Sequence, residues 1–284
     1  MKQLIQPIVL CFIVCVFSLP LKAQILPRIK EQPWIGFFSA YEQRGFHFGI
    51  HSDGQMHLYL MKSRKERAAA TKTIIIYPEL CVEDSRGKRS YKRLKEKDGL
   101  STEMKAGLED EKVTYTAETT GNARIQIDIR YDGNEIMLDG KVLESGEFKE
   151  ENISVSFKVM MPAFYNSTTY GKDKKKAKDK MKRDKFRFIR ADNGEKESLK
   201  VYEKYDLSSK GLGKGVITEL EVDMGAQEGK TFIFKTVDGK GEFYLENRYK
   251  GNKAEPWTGY YVKWKRPAKE EAGKAIKPLV IQVK

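Results

Sequence analysis

The chain has 284 residues, of which 40% are hydrophobic and 33% charged, and carries a formal net charge of +13. Fourteen Phe, fourteen Tyr and three Trp exclude a disordered polypeptide, because that much aromatic surface is enough to build a core. The length suits one large β domain or two smaller ones.

The first feature in chain order is a secretory signal pattern. Lys2 gives a positive start, Ile8 to Leu19 is an almost unbroken apolar run, Pro20 ends it, and Ala23 before Gln24 offers a small residue for cleavage. The apolar stretch between Pro7 and Pro20 is shorter than the roughly 20 residues a bilayer core requires. Residues 1–23 are therefore expected to be a cleaved signal. Residues 24–284 are expected to be an exported β-sandwich domain, periplasmic or extracellular, with no transmembrane anchor. Loss of Lys2 and Lys22 leaves a net charge of +11. Cys11 and Cys15 fall in the signal, so Cys81 remains alone and no intramolecular disulfide can form after cleavage. Cys81 reads as a buried, inert thiol in a strand. Export argues against nucleic acid as a partner. A basic exported chain suits a polysaccharide or another polyanion.

Period-two alternation, a strand signature, dominates the rest. Strands are expected at Gly45–Ile50, Met56–Leu60, Thr73–Tyr77, Lys112–Glu118, Arg124–Tyr131, Glu135–Val142, Ile153–Val159, Leu199–Tyr205, Val216–Met224, Thr231–Val237, Glu242–Glu246, Gly259–Trp264 and Leu279–Val283. Trp34 is expected to pack in the first strand. Asp53-Gly54, Asp132-Gly133, Asp139-Gly140 and Asp238-Gly239 read as turns. Short helical turns are expected at Ser63–Ala70 and Ser101–Leu108, and Ser85–Gly99 as a polar insertion. Half-apolar strands bury one face against another sheet. The predicted fold is thus an all-β, antiparallel β-sandwich, in one large or two packed units, with few short helices. The lysine-rich stretch Gly171–Lys185 is the best candidate for a break between units and reads as a basic insertion.

All three histidines lie within eleven residues, in Phe46 to Leu60. A three-residue loop, Ser52-Asp53-Gly54, pairs His51 with Gln55. It puts Phe46, Phe48, Ile50, Met56, Leu58 and Leu60 on one face, and His47, Gly49, His51, Gln55, His57 and Tyr59 on the other. A one-residue slip would bury the polar set, so the apolar pattern selects this register. His57 then lies opposite Gly49, diagonal to His47 and His51. Two of these imidazoles are near enough to share an ion, whereas His47 and His51 are about 13 Å apart along their strand. No metal site is assigned, and no cofactor motif is present. His47, His51, His57 and Tyr59 are candidates for ligand contact.

Further along, Glu219, Glu221 and Asp223 line one strand face and read as a solvated row balancing lysines on the next strand. Six aromatic residues gather between Tyr244 and Trp264. Tyr260, Val262 and Trp264 alternate toward the core, leaving Trp257 and Tyr261 as candidates for stacking on sugar rings. The expected function is non-catalytic binding of a carbohydrate or another anionic envelope or extracellular polymer. The alternatives are a polysaccharide lyase or hydrolase with His57 or Tyr59 as base, or an accessory envelope protein.

Overall fold

The computed structural model describes residues 36–61, 73–95, 112–161, 184–190, 193–200, 217–224, 230–236, 242–247, 260–266 and 278–284, with residues 173, 175–176, 179 and 182. The signal pattern, Trp34, both expected helical turns, most of the lysine-rich stretch and Trp257 lie outside the described residues.

Local alternation builds the strands. In β7 (Arg124–Asp132) the side chains of Ile125, Ile127, Ile129 and Tyr131 are buried, while Arg124, Gln126, Asp128 and Arg130 are not. A turn at Gly133 and Asn134 returns the chain as β8 (Glu135–Glu144). β6 (Lys112–Glu118) pairs on the other side of β7. These three extend a sheet that continues through β16 (Leu279–Val283), β13 (Lys230–Thr236), β12 (Ile217–Met224), β10 (Lys185–Arg190) and β11 (Lys196–Lys200). The other sheet runs β1 (Phe37–Glu42), β2 (Phe46–His51), β3 (Met56–Leu60), β4 (Ile74–Glu83), β9 (Ile153–Met161), β15 (Tyr260–Lys265) and β14 (Glu242–Asn247). β5 (Arg89–Arg93) follows β3 along the same edge of β4. Among the described residues every strand pairing is antiparallel, and no helix is long and apolar enough to cross a membrane.

The two sheets pack face to face over one hydrophobic core. Phe48, Phe157 and Trp264 of the first sheet and Ile127, Phe232 and Phe234 of the second are fully buried within it. Each such side chain contributes about 1.5–3 kcal/mol through its burial. Tyr41 stacks on Tyr131 across the layers, with centroids 4.4 Å apart and planes 4° from parallel. Both sheets take strands from before and after the lysine-rich stretch, so the chain crosses between layers on both sides of it.

Four local features differ from the sequence expectation. β1 begins at Phe37. β5 occupies part of the supposed polar insertion; it lacks apolar alternation because it is an edge strand, and its charges deter pairing with another chain. Phe186 and Phe188 make β10 a strand immediately after the lysine-rich stretch. Asp139-Gly140 is no turn but the middle of β8. A Cβ at Gly140 would stand 2.8 Å from both the Gln126 carbonyl oxygen and the Val155 side chain, so the glycine lets β8 and β9 approach.

Candidate functional site

The histidine hairpin has the register its apolar pattern dictates. Ile50 pairs with Met56, Gly49 with His57, Phe48 with Leu58, and His47 with Tyr59. The His51 N–H donates to the Gln55 carbonyl at 2.8 Å, and Gly54 takes φ +81° in the three-residue loop.

On the outer side of this hairpin, His51 and His57 stack with centroids 5.6 Å apart and planes 6° from parallel. Phe37 stands edge-on to both, 5.2 Å from each ring. The Nδ1 atom of His57 lies 3.2 Å from the Tyr59 hydroxyl. His51 Nδ1 lies 3.0 Å from Asp53 Oδ1. Ring-nitrogen lone pairs lie in the ring plane, so stacked, parallel imidazoles do not converge on one ion. Among the described residues, no group of three His, Cys, Asp or Glu side chains could hold a metal. The face is also drier than its polar residues suggested: His47 and Tyr59 are only 7% and 6% exposed. Tyr59 and Met61 form a small second apolar cluster with Phe37 and Ala40.

The same side of the sheet continues across β4, β9 and β15. Tyr261 faces outward while Tyr260, Val262 and Trp264 face the core, as alternation required. The Lys158 ammonium lies 5.1 Å from the ring centres of both Tyr77 and Tyr261, and 2.9 Å from the Glu79 carboxylate. Lys263 lies 4.1 Å over the Tyr91 ring. Lys265 and Arg89 both bond Glu83 at 2.8 Å and hold its carboxyl below the usual value, Lys265 contributing most. Cys81 is buried here, and that burial raises its thiol above the ordinary value despite nearby Lys265 and Arg89.

Sequence reasoning found Tyr261, with Lys263 beside it by alternation, and the histidines on this side, but missed Phe37, Tyr77 and Lys158. A usable signal existed in Ser154, Ser156 and Lys158, which alternate with apolar residues along β9 and mark its outer face. Trp257, the other expected sugar contact, lies outside the described residues. The acids of β12 are balanced by neighbouring strands, though mainly by an arginine rather than by lysines: Arg187 bonds Glu221 and Asp223, and Lys235 lies 3.8 Å from Glu219.

A second feature is a cleft of about 310 Å³ between the ends of β8 and β9, where the chain passes from one sheet to the other. Arg266 lies in it, bonding Asp139 and the Gly140 carbonyl. The Asp139 carboxyl is nonetheless raised above its ordinary value, because burial outweighs the guanidinium.

The chain matches no protein-family model, and no curated protein is similar to it in sequence. The fold and its surfaces define an all-β sandwich with a tyrosine- and lysine-bearing outer face on one sheet.

Proposed function

We propose that the protein is an exported, non-catalytic binding protein for an anionic carbohydrate or a similar envelope or extracellular polymer, held on the outer face of the first sheet. The observation that carries this reading is the Tyr77–Lys158–Tyr261 row with Lys263 over Tyr91. Tyrosine rings offer flat apolar area with wet edges, and ammonium groups offer unshaped positive charge, which suits a repeating acidic sugar better than a planar anion. Lys158, Lys263, Lys265 and Arg89 outnumber Glu79 and Glu83 on this face, and although Lys263 and Lys265 are only 7% and 8% exposed, their charge still acts on a ligand through its field. The basic net charge of the whole chain would draw a polyanion toward it.

The bonded pair of His57 and Tyr59 favours one second reading, a polysaccharide lyase in which Tyr59 removes a proton. Its burial and the Phe37 ring against His57 support the binding reading instead. A glycan array of neutral and acidic polymers, run at low and high salt, tests both. Retention of acidic glycans that weakens with salt supports binding. Absence of retention contradicts it, and release of unsaturated sugars selects the lyase.

A further inference from the structure

The hairpin that joins β4 to β5 carries five cations and no acid within the eight residues from Arg86 to Arg93. Its turn, Asp84-Ser85-Arg86-Gly87-Lys88, is firmly built. Asp84 Oδ1 accepts the backbone N–H of Arg86 at 2.9 Å and that of Lys88 at 2.8 Å. The Asp84 N–H donates to the Lys88 carbonyl at 2.9 Å, and the Gly87 N–H donates to the Asp84 carbonyl at 2.9 Å. Gly87 takes φ +76°, a conformation that favours glycine. The carboxylate nearest in sequence to Arg86 and Lys88 thus serves the backbone of the turn. Both of those residues stand exposed at its tip.

Register carries this charge onto the side of the sheet that holds Lys158. Arg93 pairs with Glu79, Tyr91 with Cys81 and Arg89 with Glu83, and directly opposed residues share a face. Two contacts tie β5 to β15 across the intervening strands. The Lys263 ammonium lies over the Tyr91 ring, and Lys265 and Arg89 share the Glu83 carboxylate. Arg93 is exposed, as Arg86 and Lys88 are. From Tyr77 to Glu83 the face runs along β4 for about 20 Å of strand, and the turn lies beyond it.

We infer that the β4–β5 hairpin is a second subsite for the anionic polysaccharide, which is gripped at the tyrosine row and again at Arg86, Lys88 and Arg93. This rests on the outer-face reading given above. Continuity of the face from β15 to β5 favours one polymer lying across both places over a separate acidic peptide at the hairpin. Two linked subsites reward length: an oligomer that covers only the tyrosine row gains nothing from the hairpin, whereas one that spans both gains from each.

The test is calorimetric titration of oligogalacturonates of graded length into the native chain and into a triple variant, Arg86→Gln, Lys88→Gln and Arg93→Gln. All three side chains are exposed, so the unfolding midpoint should not move. Both proteins should bind short oligomers alike. Once the oligomer exceeds about 20 Å, the native chain should gain about tenfold or more in affinity and the variant should not. High salt should erase the native gain. A gain with length that survives in the triple variant overturns the inference and leaves the outer-face reading standing. Tighter retention of polyglutamate than of the long oligogalacturonate also overturns it and gives the hairpin to an acidic protein partner. No binding at any length contradicts the outer-face reading, and this inference with it.

Discussion

The hydroxyl of Tyr115, in β6 of the second sheet, donates at 2.8 Å to the carbonyl of Gly54, in the loop of the histidine hairpin. The bond is buried and spans 61 residues of sequence, so it fixes the tip of the first sheet's hairpin against the opposite layer. Tyr115→Phe would keep the ring and leave the Gly54 carbonyl buried without its partner. Unfolding in urea should show a loss of about 1–3 kcal/mol with an unchanged slope. An unaltered midpoint would mean that the loop is held by other contacts.

Glu79 is 2% exposed and bonds Lys158, whose side chain is 13% exposed. Breaking a buried pair leaves an uncompensated charge, so Lys158→Ala should destabilise by about 3–5 kcal/mol. The double variant Glu79→Leu, Lys158→Met removes both charges and should recover most of that loss, as read by thermal unfolding. Equal destabilisation by the single and double variants would show that packing, rather than charge, governs the position.

Glu83 sets a pH dependence. Its folded carboxyl is held below the ordinary 4.5 by Lys265 and Arg89. The stability this supplies is complete above about pH 4.5 and fades as pH falls through the lower folded value. Glu83→Gln should therefore be less stable than the native chain at neutral pH, with the difference closing in acid. A difference that persists unchanged at pH 2 would contradict the assignment.

Cys81 is fully buried and its thiol is raised by that burial. A chain beginning at Gln24 should give no reaction with an aromatic disulfide reagent when folded, and one thiol per chain in guanidinium. Rapid reaction of the folded protein would place Cys81 at an accessible surface.

Much of the layered architecture is legible in the alternation of particular strands. Ile125, Ile127 and Ile129 announce β7, and the Phe46-to-Leu60 pattern sets the hairpin register because any slip would bury imidazoles. β1 and β5 were not legible for a physical reason: edge strands need no buried face, so Arg89-Ser90-Tyr91-Lys92-Arg93 carries no apolar period. Asp139-Gly140 misled because glycine here serves close approach of β9, a demand of tertiary packing that no local rule encodes. The outer-face row was half legible. Alternation fixes which side Lys158 and Tyr261 occupy, but these neighbours sit on three adjacent strands whose residues, 77, 158 and 261, lie far apart in the chain. Only the strand order brings them together.

The most direct measurement is calorimetric titration of an acidic polysaccharide such as polygalacturonate into the native chain, Tyr261→Ala and Lys263→Ala, at low and high salt. The outer-face account predicts binding by the native chain that weakens as salt rises, and losses of about 1–3 kcal/mol for removing the ring. Lys263→Ala should show a smaller salt dependence. Native-like binding by both variants, or none by the native chain, would contradict it.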